Sequence, residues 1–173
     1  ELHSKPDVEI LFEGAQGFGL DIDHGDYPFV TSSHCTTASA LLNGVPPQAI
    51  RNVWGVAKIY ETYVGAKDFQ PEDPIFGTIQ TLGEEFGATT GRKRQCNWMD
   101  LKALMKAVKI NGVTDLVFNK MDVLEEVGEW KIYNGDHLME FNDQQHVKSW
   151  LTSYVNFSPG DINVYFSGNK DRI

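Results

Sequence analysis

A helical pattern that runs directly into a strand pattern is the feature that most limits the fold. Apolar residues after Asn97 recur at the spacing i, i+3, i+4 and i+7, namely Leu101, Leu104, Met105 and Val108. Asn97 is placed to cap this helix, with Asp100 as the acid of a capping box, and Asn111-Gly112 ends it. Residues 115–118 then form an apolar strand, and this succession indicates an α/β unit.

Other segments repeat the two periodicities. Val8 to Phe12 is expected to be a mostly buried strand, and Asn52 to Gly65, which is rich in β-branched and aromatic residues, a second one. A last helix is predicted from Val147 to Val155, followed by a final strand from Ile162 to Phe166. We therefore predict one α/β domain over residues 1–173, with a mostly parallel sheet and flanking helices.

Charge and composition exclude several classes of protein. The net charge of −9 and a pI near 4.9 argue against a nucleic-acid-binding surface, which would be basic. No apolar run approaches the ~18 residues of a membrane span. Cys35 and Cys96 lie far apart and are expected to be reduced thiols rather than a disulfide. The sequence is that expected of a cytoplasmic protein.

The segment from Gly87 to Arg94 carries the strongest local signal for a binding site. Two glycines permit sharp turns with exposed N–H groups, Thr89 and Thr90 supply hydroxyls, and three cations follow. Guanidinium forks pair bidentately with carboxylate or phosphate. The pattern favours an anion site, with a solvated basic turn as the alternative.

A second candidate site follows the strand at residues 115–118. In Asn119-Lys120-Met121-Asp122, the carboxylate of Asp122 could accept hydrogen bonds from N1–H and the 2-amino group of guanine, while the stem of Lys120 lies along the base. An ordinary polar loop is the alternative. The carboxyl ends of parallel strands are where α/β folds bind ligands, which favours the binding role.

The loop around Asp21 to His24 offers two interpretations. Two acids and a histidine could hold a metal ion, but an extended segment would place Asp21 and Asp23 on one side and His24 on the other. We therefore favour a role in shaping the loop by hydrogen bonds. The hydroxyls of residues 31–33 could cradle a phosphate or form a Ser/Thr turn.

Taken together, five ordered segments resemble the adenylosuccinate synthetase family. They are Glu13 to Gly17, Asp21 to Gly25, Tyr27 to Ser32, Phe86 to Arg94, and the pair Lys120 and Asp122. The resemblance extends from about Val8 to Val123 and corresponds to the C-terminal half of the family's fold, a large, mostly parallel sheet.

The resemblance implies a reaction and a set of ligand-binding residues. In this family the γ-phosphate of GTP passes to the 6-oxygen of IMP, L-aspartate displaces that phosphate, Mg²⁺ bridges the charges, and the enzyme is a homodimer. The purine nucleotide would contact Gln16, Thr31, Val64, Gly65 and Arg92. The aspartate would contact Thr89, Thr90, Arg92 and Arg94, and the GTP would contact Lys120, Asp122 and Gly168.

Departures from the family pattern leave alternatives open. The phosphate loop, the catalytic residues and the Mg²⁺ ligands belong to an N-terminal half, and we expect a segment to precede Glu1 and this half alone to be inactive. Tyr63 stands where the family has Arg, and Phe166 to Asn169 replaces Ser-x-Gly-Pro. The alternatives are a phage-type enzyme that joins aspartate to dGMP with ATP, dATP or GTP, a non-catalytic nucleotide-binding module, and a metal-dependent hydrolase.

Overall fold

The computed structural model describes residues 8–87, 91–157 and 161–168. Five α-helices lie in these ranges: α1 (Ala38–Leu42), α2 (Pro74–Leu82), α3 (Leu101–Asn111), α4 (Met121–Val127) and α5 (Gln144–Asn156). The strands are β1 (Trp54–Lys58), β2 (Tyr60–Tyr63), β3 (Gln95–Asp100), β4 (Asp115–Asn119), β5 (Trp130–Asn134), β6 (His137–Phe141) and β7 (Asn163–Phe166). Short 3₁₀ turns occur at Phe18–Leu20 and Pro47–Ala49.

One sheet is entirely parallel and has the order β1-β4-β7. Its central strand β4 buries Leu116 and Phe118 on one face, as the alternation of side chains in a strand requires. Phe118 stacks on Phe166 of β7, with ring centroids 5.5 Å apart. This sheet with its flanking helices confirms the predicted fold class.

The second sheet has the order β2-β3-β5-β6 and is mixed. Strands β3 and β5 run parallel, whereas the β2–β3 and β5–β6 pairs are antiparallel. The strand predicted from Asn52 to Gly65 supplies both sheets, because it divides at Ile59 into β1 and β2. At this division Ile59 N donates to Asn119 O at 3.0 Å.

The predicted helices are present and bury most of the residues that their periodicity indicated, whereas Leu104, Trp150 and Tyr154 are partly buried against the core. Helix α3 buries Leu101, Met105 and Val108 in the core, and α5 buries Val147, Leu151 and Val155. Burial of such apolar stripes supplies most of the stability of amphipathic helices. Gly112 ends α3 in the left-handed region, with φ 61°, as its position after the last apolar residue predicted.

The predicted start of α3 is wrong, because the residue expected to cap the helix belongs to the strand before it. Asn97 lies inside strand β3, and the helix begins only at Leu101. The cap is Asp100, whose carboxylate accepts hydrogen bonds from Lys102 N at 2.8 Å and Ala103 N at 3.2 Å. An acid that can accept from two N–H groups of the first turn is the better cap, and Asn97 is held in the sheet by pairing with Glu61.

The buried strand predicted for Val8 to Phe12 is also wrong. These residues are exposed, Leu11 by 88%, and within the described ranges no strand pairs with them. Within the same described ranges Trp54 and Val56 on the outer face of the parallel sheet are also exposed, by 54% and 67%. None of the helices among the described residues is both long and apolar enough to cross a bilayer.

Candidate functional site

The parallel sheet brings the ends of three strands to one edge. Lys58 is the last residue of β1, Lys120 follows β4 directly, and Ser167-Gly168 follows β7. Parallel strands end on the same side of a sheet, and this edge is where α/β folds bind ligands. The structure therefore brings Lys120 and Gly168, which the resemblance named separately, to the same edge as Lys58, which no motif marked.

A cavity of about 460 Å³ opens at this edge beside α4 and α5. Asp122 and Gly168, two of the predicted GTP contacts, both line it. The other lining residues are Met121, Glu125, Gln144, Lys148, Phe166 and Ser167. Lys148 Nζ lies 5.7 Å from the centre of the Phe166 ring and donates to Gln144 Oε1 at 2.6 Å. The cavity thus combines an aromatic wall with carboxylate acceptors, which suits a base with N–H donors.

Lys120, the third predicted GTP contact, is fixed beside this cavity. Its backbone is left-handed, with φ 63°, at the N-cap of α4. Its Nζ donates to Gly83 O at 2.9 Å, which ties the end of β4 to the turn after α2. The side chain therefore links the cavity to the basic loop that follows this turn.

The basic loop is closed by backbone hydrogen bonds into a narrow turn. Gly87 N donates to Arg92 O at 2.8 Å, and Arg94 N donates to Glu85 O at 2.9 Å. Gly91 has φ 63°, a conformation that glycine adopts readily. Of the predicted aspartate contacts, Arg92 and Arg94 are held by this turn, while Thr89 and Thr90 lie outside the described residues.

Arg94 belongs to a cluster around one buried carboxylate. Glu85 is only 1% exposed and accepts from Arg94 Nη1 at 2.9 Å. Lys58 Nζ donates to both carboxylate oxygens, at 2.8 and 2.7 Å, and Tyr60 OH donates at 2.7 Å. Lys58 also donates to Thr62 Oγ1 at 3.0 Å. Three donors from β1, β2 and the end of the basic loop therefore meet at one carboxylate.

The donors around Glu85 keep its carboxylate charged. Burial by itself raises the pKa of Glu85, but the hydrogen bonds from Lys58 and Tyr60 and the positive charge of Lys58 outweigh it. The pKa of Glu85 therefore lies below its ordinary value. For Lys58, burial lowers the pKa and the attraction of Glu85 offsets only part of that effect. Burial and the hydrogen bond to Glu85 raise the pKa of Tyr60, so its proton stays in place.

Two predicted nucleotide contacts lie together in the first loops of the chain. Ser33 Oγ donates to Gln16 Oε1 at 3.1 Å, and Thr31 Oγ1 lies 3.5 Å from Ser33 Oγ. Gln16 has φ 66°, a conformation found at few residues other than glycine. Gln16 and Thr31 are thus connected through Ser33 and offer amide and hydroxyl groups on one surface.

Asp21 shapes the loop beneath these residues, as the sequence favoured. Its side chain is buried, and its carboxylate accepts from the backbone N–H groups of Asp23 and His24, each at 2.9 Å, and of Cys35. Burial by itself raises the pKa of Asp21, but the three hydrogen bonds lower it by more. The pKa of Asp21 therefore lies below its ordinary value. The carboxylate is therefore committed to the backbone.

The metal-binding alternative places a different histidine near the acids. Asp21, Asp23 and His34 offer ligand atoms within 4.8 Å of one another, whereas His24 stacks on Phe18. The segment forms turns instead of extending, and the grouped ligand atoms are those of Asp21 and Asp23 with His34 in place of His24. With the Asp21 carboxylate occupied by backbone N–H groups, this set is poorly suited to the six oxygens that Mg²⁺ requires.

Val64 and Gly65, the remaining predicted nucleotide contacts, follow strand β2. Gln95 organises this region: its Nε2 donates to Gly65 O at 3.3 Å and to Lys67 O at 2.7 Å. Its Oε1 accepts from Phe69 N at 3.0 Å. Tyr63, which stands where the family has arginine, packs on Phe69 with ring centroids 5.8 Å apart.

Sequence reasoning missed Glu85, Lys58 and Gln95. Glu85 sits in Gly83-Glu84-Glu85-Phe86, which resembles an exposed acidic turn, and its partners come from distant segments. Polar residues that a fold gathers from separate strands leave no periodic signal. Lys58 lay inside the strand predicted from Asn52 to Gly65, and only the division of that strand at Ile59 places it at a strand end.

Comparisons with known proteins identify the family of this chain. The family model for adenylosuccinate synthetase matches residues 2–157. The adenylosuccinate synthetase of Oleidesulfovibrio alaskensis is 42% identical over 162 residues, which are 89% of this chain and 38% of the relative. That of Yarrowia lipolytica is 41% identical over 164 residues, 90% of this chain and 38% of the relative. The chain thus spans well under half the length of these curated relatives.

Solved structures support the same assignment. The fully ligated adenylosuccinate synthetase from Plasmodium falciparum aligns with a TM-score of 0.66 at 32% identity, over 76% of this chain and 33% of that one. A cyanophage S-2L succinoaminodeoxyadenylate synthetase bound to dGMP and dATP aligns with a TM-score of 0.51 over 82% of this chain and 49% of that one. At 19% identity it supports the fold alone. With nine tenths of its length matched by the family model, this chain belongs to the adenylosuccinate synthetase family.

Proposed function

We propose that this chain forms the substrate-binding C-terminal part of a ligase of purine biosynthesis, which joins L-aspartate to the 6-position of IMP with hydrolysis of GTP. The chain covers about two fifths of the length of its relatives, so the activity belongs to an enzyme that contains the rest of the fold as well. The proposal includes a single α/β domain over residues 1–173. It also includes a cytoplasmic location and a homodimer, the latter implied by the resemblance to the family.

The observation that carries the proposal is the shared edge of the parallel sheet. Asp122 and Gly168 line one cavity there, and Lys120 connects it to the turn that precedes the basic loop. Two ligand sites on adjacent loops are what a reaction between a nucleotide and an amino acid requires. A module that binds nucleotides without catalysis would leave the clustered cations of that loop without a use.

The residues would act mainly by position and charge. Arg92 and Arg94 would hold the aspartate carboxylates, so that its amine meets C6 of the purine. Asp122 would accept from guanine, while Gln16 and Thr31 would hold the purine nucleotide and its phosphate. Mg²⁺ would neutralise the phosphate charge, with its ligands outside this chain. Catalytic groups are likewise expected outside these residues.

A chimeric enzyme tests the proposal. The matching segment of the Oleidesulfovibrio alaskensis enzyme is replaced by residues 1–173, and product formation is measured with IMP, L-aspartate and GTP. The same relative with its segment deleted serves as the control. Aspartate-dependent turnover in the chimera alone supports the proposal. Turnover with dGMP in place of IMP, or a preference for ATP, would instead support the phage-type specificity, and an inactive, folded chimera would contradict the enzyme assignment.

A further inference from the structure

We propose that Glu85 is a positioning residue for the aspartate site, which fixes the guanidinium of Arg94 so that its outer N–H groups point at the substrate carboxylate. The inference rests on the proposed role of Arg94 in binding aspartate. Glu85 itself lies outside the five sequence segments that resemble the family. It begins from a carboxylate that is 1% exposed and receives three side-chain donors.

Glu85 and Arg94 are held opposite each other by the turn that carries the basic loop. Arg94 N donates to Glu85 O at 2.9 Å, next to the isolated bridge between Phe86 and Lys93, so the two residues lie side by side. The carboxylate then takes Nη1 of Arg94 at 2.9 Å. Since the guanidinium is a rigid planar fork, fixing one edge sets the direction of its other N–H groups.

The remaining partners of Glu85 immobilise the carboxylate itself. Lys58 Nζ bridges both oxygens from the end of β1, and Tyr60 OH binds Oε1 from β2. Lys58 is further tied to Thr62 Oγ1 at 3.0 Å. Glu85 is therefore anchored to the sheet on one side, and on the other it holds Arg94, whose side chain remains 33% exposed.

The charges of this cluster favour an incoming anion. Lys58 and Arg94 contribute two positive charges against the single negative charge of Glu85, and Lys120 lies close enough to influence Lys58. A substrate carboxylate bound at the exposed edge of Arg94 would balance the excess positive charge of the cluster. Pre-orientation matters because a misplaced contact of about 1 Å can lower a rate by about 100-fold.

The first test separates substrate binding from turnover in the chimeric enzyme. Glu85→Gln keeps the size of the side chain but removes the charge, and we expect the KM for L-aspartate to rise by about 10- to 100-fold with a smaller change in kcat. Glu85→Asp retains the charge and should recover part of the affinity. The KM values for IMP and GTP should stay near those of the parent chimera.

Glu61→Gln provides the matched control. Glu61 is half-buried and accepts a backbone hydrogen bond from Asp100 N at 3.0 Å, but within the described part of the chain it forms no ion pair with Arg94. It should alter stability without altering the KM for aspartate. An unchanged KM in folded Glu85→Gln, or an equal rise in both variants, would overturn the positioning role.

A second test needs no activity and therefore keeps this inference separate from the proposed function. In the 173-residue chain, ¹⁵N NMR should resolve restrained guanidinium N–H signals of Arg94, identified by their loss in Arg94→Lys. These signals should average in Glu85→Gln and persist in Glu61→Gln. Persistence in Glu85→Gln would show that Glu85 does not hold Arg94. Averaging in Glu85→Gln together with an inactive parent chimera would contradict the ligase assignment while retaining the Glu85–Arg94 restraint.

Discussion

Gly168 lies directly against Asp122 at the mouth of the cavity between α4 and α5. A methyl group added to Gly168 would stand 3.2 Å from Asp122 Cβ and 3.3 Å from its backbone N. We expect Gly168→Ala to displace the carboxylate that is proposed to bind guanine. Overpacking of this kind costs about 1–3 kcal/mol unless the neighbour moves, and the displaced carboxylate should raise the KM for GTP in the chimera.

Gly77→Ala is the control for that substitution. Gly77 lies within helix α2, and apart from the backbone of its own helix no described atom stands within 4 Å of an added methyl group. The change should leave the KM for GTP as it is and slightly stabilise the helix, because alanine has the higher helix propensity. An unaltered KM for GTP in folded Gly168→Ala would argue against Asp122 as the guanine acceptor.

Arg92 is predicted to be required for use of aspartate. Arg92→Leu should abolish aspartate-dependent turnover, since losing a charged contact to a desolvated carboxylate costs about 2–5 kcal/mol. Lys93→Leu removes the adjacent cation and should have a much smaller effect. Steady-state kinetics at varied aspartate concentration measure both, with circular dichroism to establish folding. Normal aspartate kinetics in Arg92→Leu would exclude this residue from the site.

Asp21 should contribute to stability through its loop. Asp21→Ala leaves three partly buried backbone N–H groups without their acceptor, and the loss of such hydrogen bonds should cost about 1–3 kcal/mol. Asp23→Ala, which removes a 63% exposed carboxylate from the same loop, should cost less. Urea denaturation of the 173-residue chain compares the two. Equal losses would show that the hydrogen bonds of Asp21 do not determine the stability of this loop.

Periodicity correctly predicted the helices and strands that bury one apolar face in the core. The apolar stripe at Leu101, Met105 and Val108 packs inward, and β4 follows it with Leu116 and Phe118 buried. Because Lys120 and Asp122 directly follow the predicted strand β4, the sequence alone also indicated that they lie at the edge of the sheet where this strand ends. These predictions succeed because burial of one face decides both the helix and the strand.

Pairing between distant segments could not be predicted in the same way. Asn97 was a plausible cap by residue type, but its pairing with Glu61 places it in β3, and Asp100 takes the cap. Val8 to Phe12 has a strand-like composition, yet a strand needs a neighbour to satisfy its backbone. The cluster at Glu85 also depends on how distant segments are placed in the fold, since Lys58 contacts Glu85 from the end of β1.

The pH dependence of stability provides a last prediction for Glu85. Burial raises its pKa, but the hydrogen bonds from Lys58 and Tyr60 and the positive charge of Lys58 lower it below the ordinary value of 4.5. The unfolded chain therefore takes up this proton first as the pH falls, which favours unfolding. The contribution of Glu85 to stability is complete above pH 4.5 and is lost below it, as the pH passes through the folded-state pKa.

Glu61 should behave in the opposite sense and so serves as the internal comparison. Burial raises its pKa above 4.5, and the hydrogen bond from Asp100 N only partly offsets this, so its ionisation above that pH disfavours the folded state. In urea titrations from acid to neutral pH, Glu85→Gln should reduce the rise of unfolding free energy with pH, whereas Glu61→Gln should increase it. If both substitutions changed the slope in the same direction, the donors around Glu85 would not be what keeps its carboxylate ionised.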